Sequence, residues 1–300
     1  MVAPIKEMTW AITGGSGQLA QSLVNLLEKQ GINHCSWARP DLDISKPQEL
    51  KKISDFNPTV IVNCAAWTNV DGAEDHSSEA LSVNRDGARN IAQLAKELDI
   101  PLIHISTDYV FSGKSEQGWK TTDKPHPTSK YGETKLQGEM AIQKVWPEKS
   151  AILRTAWLYG PFGENFTKTI LKKAISTQDA LRVINDQRGQ PTTTLDLAQQ
   201  ILNLVLIDAP SGVYHATNSG EATWWDLAKE IVSLAGETIE RVIPVTSQEF
   251  PSKVLRPSYS VLDHSSWSKV GLQPMRDWRE ALREVFPSIR NAVEKELSNG

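Results

Sequence analysis

The stretch Met8-Thr-Trp-Ala-Ile-Thr-Gly-Gly-Ser-Gly-Gln-Leu-Ala20 decides the fold. A short apolar run ends at Thr13, and Gly14, Gly15 and Gly17 follow. A helical pattern then runs through Leu19, Leu23, Leu26 and Leu27. This is strand, glycine turn, helix. Missing side chains let a pyrophosphate approach the backbone, and a helix N-terminus offers free N–H groups with the positive end of the dipole. The spacing Gly14-x-x-Gly17-x-x-Ala20 is a variant of the dinucleotide-binding turn. The same letters also suit an ordinary strand-to-helix turn, so the rest of the chain must arbitrate.

Outward from that turn, strands and helices alternate. Strands are predicted over 9–13, 34–37, 60–64, 102–106 and 151–155, with the clearest helical pattern over 84–98. The run Thr59-Val-Ile-Val-Asn-Cys64 is apolar on both faces, which suits a parallel sheet covered by helices on both sides. The expected architecture is an α/β, Rossmann-type doubly wound parallel sheet with a smaller C-terminal substrate-binding region. Residues 1–160 would form the dinucleotide-binding domain, with part of about 185–210 packing back onto it, and 161–300 would be mainly substrate-binding. In that second part helices are predicted over 165–175, 194–207, 224–234 and 278–286. A short strand is predicted over 181–184, the segment Gly212-Val-Tyr-His215 follows the 194–207 helix, and a Pro-punctuated stretch runs from Pro244 to Pro257.

Composition excludes several classes. A formal net charge of -4 with interleaved signs argues against a nucleic-acid binder. No apolar run is long enough to span a membrane, and the first residues lack a signal-peptide pattern. Cys35 and Cys64 read as small core residues in a reducing, cytoplasmic setting. The six histidines show no ligand spacing, so no metal site is expected.

Ligands in such sheets bind beyond the carboxyl ends of the strands. Those ends carry Gly14–Gly17, Ala38–Ile44, Ala65–Trp67, Ser106–Tyr109 and Ala156-Trp157. Between the last two lies Pro127-Thr-Ser-Lys-Tyr-Gly-Glu-Thr-Lys135. Tyr131 and Lys135 are four apart, so a helix puts both on one face. A phenol beside a fixed ammonium is a proton donor candidate; moving it from a pKa of about 10 to near 7 needs about 4 kcal/mol of differential stabilisation.

These motifs together resemble the extended short-chain dehydrogenase/reductase superfamily. Within it, several stretches are similar to the dTDP-4-dehydrorhamnose reductase family: Asp41-Leu-Asp-Ile44, Asn63-Cys-Ala-Ala-Trp-Thr-Asn-Val-Asp71, Ser106-Thr-Asp-Tyr-Val-Phe111, Arg154-Thr-Ala-Trp-Leu-Tyr-Gly160, Asn165-Phe166, Asp186-Gln-Arg-Gly-Gln-Pro-Thr192 and Arg256-Pro257. The resemblance implies reduction of a 4-keto nucleotide sugar, dTDP-4-dehydro-L-rhamnose, to dTDP-L-rhamnose. It implies Tyr131 as general acid, Lys135 holding the nicotinamide ribose and lowering the phenol, and Thr107 bonding the carbonyl oxygen or the phenol. Gly14, Gly17, Gln18 and Leu19 would hold the pyrophosphate. Asp43 and Ile44 would flank the adenine, and Cys64, Ala65 and Ala66 would line the dinucleotide path. Thr107, Asp108 and Trp157 would contact the sugar.

Asn165 and Arg256 complete the expected substrate set, Arg256 as the clamp on the diphosphate. Arg39 follows the second strand with no acid immediately there, which tilts the cofactor toward NADPH, with NADH as the alternative. The chain departs from the family pattern at Ala20, Trp67 and Glu133. Family members are said to bind Mg²⁺ at a dimer interface; no matching acidic cluster is found, so neither metal nor homodimer is carried over. A 4,6-dehydratase needs an acid–base pair after the Thr, and here Asp108 is followed by Tyr109. A 4-epimerase would bring a Ser-rich turn that is absent. A regulatory subunit of the methionine adenosyltransferase type would keep the fold without the turnover.

Overall fold

The structure is a computed structural model that describes residues 7–250 and 252–298. The initial stretch read above for a signal peptide, up to residue 6, lies outside the described residues, as does position 251 within the Pro-punctuated segment.

Five strands are β1 (Thr9–Thr13), β2 (Asn33–Trp37), β3 (Val60–Asn63), β4 (Leu102–Thr107) and β5 (Ser150–Thr155). A sixth, Gly212–His215, pairs with β5, and the sheet runs Gly212–His215, β5, β4, β3, β1, β2, all parallel. β3 and β5 are buried along their whole lengths, as strands covered on both faces must be. The chain leaves β1 toward β2 on one side and resumes with β3 on the other. The crevice of this doubly wound α/β fold therefore opens above β1 and β3, where ligands bind in open parallel sheets.

One face is covered by the helices Gln18–Gln30 and Thr194–Leu206, whose Leu23, Leu27, Leu197 and Ile201 share a core with Trp10 and Ile12. Ser22 donates to Thr194 Oγ1 at 2.7 Å across that pair. The other face is covered by Ala88–Glu97 and Lys130–Val145, packing Ile91, Ala95 and Ile142 on Ala11, Ile61 and Ile152. A separate core joins Leu171, Ile231, Trp278, Leu282 and Ile289 from the helices Phe166–Ser176, Trp224–Leu234 and Trp278–Ser298.

Two predicted elements differ. The helix expected over 84–98 begins as a π-helix, Ser82–Gly87, before Ala88–Glu97. Asn84 explains the widened turn: it accepts from Trp67 N–H at 2.9 Å and donates to Thr134 Oγ1 at 3.0 Å, tying the turn after β3 to the Lys130–Val145 helix. The last helix does not stop at 286. It continues through Pro287 to Ser298, because Ile289 and Val293 extend its buried stripe.

Candidate active site

Gly14 adopts φ +73°, and a Cβ there would stand 2.6 Å from the Ala65 nitrogen. Only glycine permits both the conformation and the approach. Gly15 N–H bonds the Trp37 carbonyl and Gly17 N–H that of Gly14, both at 2.8 Å. Gly17 starts the Gln18–Gln30 helix with no side-chain cap and no acid in the first turn. Gln18 Nε2 donates to the Leu158 carbonyl at 3.3 Å, and its buried Oε1 has no partner among the described residues. An uncapped helix end of this kind, with free N–H groups, fits a phosphate-bearing ligand.

Around this turn, the Asp43 carboxylate accepts from Ser45 N–H at 2.9 Å and from Ser45 Oγ at 2.7 Å. Ile44 is buried, and its carbonyl accepts from Asn90 at 3.0 Å. Arg39 is exposed and makes no ion pair among the described residues. Cys64, Ala65 and Ala66 form the turn after β3. Burial pushes the Cys64 thiol up to about 12, against the pull of the Lys135 ammonium, so it stays a neutral lining group.

The second half of the site stands over β4. Ser129 caps the Lys130–Val145 helix by accepting from Gly132 N–H at 3.1 Å. A Cβ on Gly132 would lie 2.2 Å from the Tyr109 carbonyl oxygen, so glycine is what lets the helix press onto the 107–109 turn. Tyr131 meets Tyr109 edge to face, with ring centroids 5.5 Å apart. Thr107 Oγ1 accepts from Tyr109 N–H at 3.2 Å and donates to Asp108 at 3.0 Å. Lys135, 1% exposed, donates to the Ile105 carbonyl at 2.6 Å.

The electrostatics differ from the expected lowering of the phenol. Burial pushes Tyr131 up to about 12, with the Asp108 carboxylate adding and the hydrogen bond shared with the Thr107 hydroxyl opposing. Desolvation lowers Lys135 to about 8 and raises Asp108 to about 6. Desolvation thus holds the Tyr131 phenol protonated.

A cavity of about 1260 Å³ is lined by residues between Phe166 and Arg256 together with Asp71 from the turn after β3; Thr107, Asp108, Tyr131 and Lys135 are not in its wall. Phe166, Trp224 and Phe250 give it aromatic walls, and Lys173, Arg182, Lys253 and Arg256 give it cations. Tyr109 links it to Tyr131, since the charges of Arg256 and Asp71 reach the Tyr109 phenol. Arg256 bonds Asp71 at 3.0 Å and Lys253 bonds Asp75 at 2.8 Å.

Of the residues named from sequence, Thr107, Asp108, Tyr131 and Lys135 come together, and Arg256 lines the cavity. Trp157 stacks on Trp224 with centroids 3.6 Å apart, so its partner forms the cavity wall. Asn165 spends both ends of its side chain on the helix cap, accepting from Lys168 N–H and donating to the Gly160 carbonyl. Trp224, Phe250, Arg182 and Lys173 were not anticipated. The adjacent Phe166 was, as part of a family stretch only.

A family profile described as the RmlD substrate binding domain matches residues 8–291. Over 283 residues the chain is 44% identical to a dTDP-4-keto-6-deoxy-D-glucose reductase of Streptomyces niveus, covering 93% of this chain and 97% of that protein. It is 40% identical over 293 residues to a dTDP-4-dehydrorhamnose reductase of Streptomyces griseus, covering 96% of each. A crystal structure of dTDP-4-dehydrorhamnose reductase from Bacillus anthracis strain Ames in complex with NADP matches with a TM-score of 0.89 at 34% identity, covering 93% of this chain and 99% of that one. Fold and site define an oxidoreductase of the short-chain dehydrogenase/reductase type. Within that class, the chain belongs to the dTDP-4-dehydrorhamnose reductase family. Among the described residues, no helix is long and apolar enough to cross a membrane.

Proposed function

We propose that the protein reduces the 4-keto group of dTDP-4-dehydro-L-rhamnose to give dTDP-L-rhamnose, using NADPH, in the cytoplasm. The observation that supports this reading is the meeting of Tyr131, Thr107 and Lys135 at the carboxyl edge of the sheet, with Tyr109 between Tyr131 and the Arg256 and Asp71 charges of an aromatic- and cation-lined cavity. Two names among the relatives fix the substrate class, and the NADP in the Bacillus anthracis protein supports the cofactor.

The division of labour follows the cores. The sheet-bearing part, residues 1–160 with the Thr194–Leu206 helix, holds the cofactor, and the later part supplies the sugar-nucleotide cavity. NADPH, when bound, supplies the hydride. Gly14, Gly17, Gln18 and Leu19 present backbone to its pyrophosphate, Cys64, Ala65 and Ala66 line its path, and Arg39 meets the 2′-phosphate. Asp43 and Ile44 shape the turn beside its adenine.

Negative charge develops on the sugar oxygen during reduction. Tyr131, kept protonated by burial, delivers its proton there, and Thr107 bonds the phenol or the oxygen. Lys135 offers its remaining N–H groups to the ribose and stabilises the phenolate left behind. Arg256, with Arg182 and Lys253 near it, clamps the diphosphate.

A second substrate, dTDP-4-keto-6-deoxy-D-glucose, is favoured by the 44% identical Streptomyces niveus relative. Offering both ketones separately with NADPH and identifying the product sugar by NMR decides between them. Turnover of the L-rhamnose precursor at the higher kcat/KM supports the reading above, and preference for the D-gluco ketone replaces it.

A further inference from the structure

The sheet register sets Thr13 beside Asn63 and Asn63 beside His104, so three strands bring one polar row to the base of Lys135. The row is buried throughout. Thr13 Oγ1 donates to Asn63 Oδ1 at 2.6 Å, and Ala65 N–H donates to the same oxygen at 3.2 Å. A backbone N–H can only donate, so this contact fixes which end of Asn63 is oxygen. The amide nitrogen then faces His104 Nδ1 at 3.0 Å. Burial holds the His104 imidazole neutral, its affinity for a second proton well below the usual histidine range. A neutral ring that accepts at Nδ1 carries its hydrogen on Nε2. That Nε2 lies 3.4 Å from Lys135 Nζ.

Two donors therefore face each other at the catalytic lysine. The other tautomer would give Lys135 an acceptor, but it would turn Nδ1–H against the Asn63 amide hydrogen at the shorter contact, 3.0 Å. Lys135 keeps one strong acceptor, the Ile105 carbonyl at 2.6 Å.

We propose that His104 is a positioning residue for the Tyr131–Lys135 pair: locked by Thr13, Asn63 and Ala65 as the Nε2–H tautomer, it aims a donor at Lys135, weakens that amine as a base and presses it onto the Ile105 carbonyl. The other groups around the amine are Cys64 from the turn after β3 and Glu139 one turn further along the same helix. Glu139 is in turn bound bidentately by Arg154 of β5, at 3.0 and 2.6 Å, and by Ser106. An acceptor in place of His104 would add to the pull of the Glu139 carboxylate on the proton. A donor opposes it, acting in the same direction as the burial that lowers the affinity of Lys135 for its proton.

The catalytic consequence rests on the reductive role proposed for Tyr131 and Lys135; the tautomer does not. The test therefore reads the tautomer and the lysine directly. Long-range ¹H–¹⁵N spectra of histidine-labelled protein are expected to show a neutral Nε2–H imidazole for His104 from about pH 6 to about pH 9. His104→Asn keeps an oxygen for Asn63 on a shorter side chain that lacks the Nε2–H reaching Lys135; His104→Gln can place its amide oxygen, an acceptor, before Lys135. Followed by ¹³C-lysine NMR, the Lys135 midpoint is expected to rise by about one pH unit in the first variant and further in the second, and the alkaline limb of kcat to move with it.

A purely structural His104 would lower kcat and leave the midpoint in place, which overturns the proposal. So does an Nδ1–H or cationic ring in the unaltered protein, a measurement that decides the matter even if the variants do not fold. A protein with the expected tautomer and midpoints but no turnover of the nucleotide sugar would instead overturn the reductase reading.

Discussion

Lys135 Nζ and the Ile105 main-chain oxygen are 2.6 Å apart, so the amine is moored to β4 two residues before Thr107. The mooring fixes the lysine relative to the strand that also carries Thr107. Desolvation there lowers Lys135 to about 8. The cation is present below that pH and lost above it, so reduction is expected to fall as pH rises through about 8. Stability moves the other way. A lysine free of the fold titrates near 10.4, so the unfolded chain binds more protons between about 8 and about 10.4, and folding gains stability across that window. Rate profiles and urea melts at about pH 7.5 and about pH 9.5 check both signs. Lys135→Met is expected to lower kcat by about 10²–10³-fold and to abolish the gain.

Asp108 is 2% exposed; its Oδ1 accepts from Thr107, and among the described residues its Oδ2 has no partner within hydrogen-bond geometry. Burial raises its carboxyl to about 6. The folded protein therefore holds this proton between about 4 and about 6 while the unfolded chain releases it, so stability falls as pH rises through that window and the cost is fully present at neutral pH. Asp108→Asn is expected to stabilise the fold by about 2 kcal/mol at neutral pH and to leave it unchanged below about pH 4, as read by chemical denaturation. The same change is expected to weaken substrate binding.

Trp224 is the indole that both lines the cavity and stacks on Trp157. Trp224→Ala is expected to raise KM for the nucleotide sugar by about 10-fold or more with little change in the KM for cofactor. Trp157→Ala is expected to do less, because it removes the backing and leaves the wall. Initial-rate kinetics with each substrate varied in turn separate the two.

Gly132 is the contact point between the Tyr131 helix and the 107–109 turn. A methyl group would meet the Tyr109 carbonyl at 2.2 Å, where neither backbone can retreat alone. Gly132→Ala is expected to cost about 2–4 kcal/mol or to shift the helix enough to abolish turnover. Thermal melting together with kcat shows which.

Arg39 is exposed beyond β2. Arg39→Ala is expected to raise KM for NADPH by about 10-fold and to leave KM for NADH nearly unchanged, since only the former carries the 2′-phosphate. Equal effects on both cofactors would contradict the assigned contact.

The doubly wound sheet was legible because its strands announce themselves. Val60-Ile-Val62 and Ala151-Ile-Leu153 are unbroken apolar runs, and the glycine turn follows the first strand directly. The Gly212–His215 strand was visible as a segment, but its pairing with β5 joins residues about 60 apart, which no local pattern encodes. That Thr107 stands at the end of β4 and that Tyr131 and Lys135 share one helix was readable from spacing and strand ends. The cavity wall was not: Trp224 sits in an amphipathic helix where any aromatic reads as core. Arg182 and Lys173 look like surface charges until the fold sets them around one cavity. His104 lies in an apolar strand, and only the register with Asn63 reveals what it faces. The direction of the Tyr131 shift differs from the expected lowering because a helix spacing names a neighbouring cation and says nothing of the burial and the Asp108 carboxylate that raise the phenol.

The central claim is a ketone reduction in which Tyr131 supplies the proton. The most direct measurement is NADPH oxidation at 340 nm with dTDP-4-dehydro-L-rhamnose, comparing the unaltered protein with Tyr131→Phe. Turnover that drops by about 10²-fold or more in the variant, with cofactor binding retained, is the expected result. Turnover preserved in Tyr131→Phe would contradict the assignment of the acid, and cofactor binding without any turnover of the ketone would contradict the reaction itself.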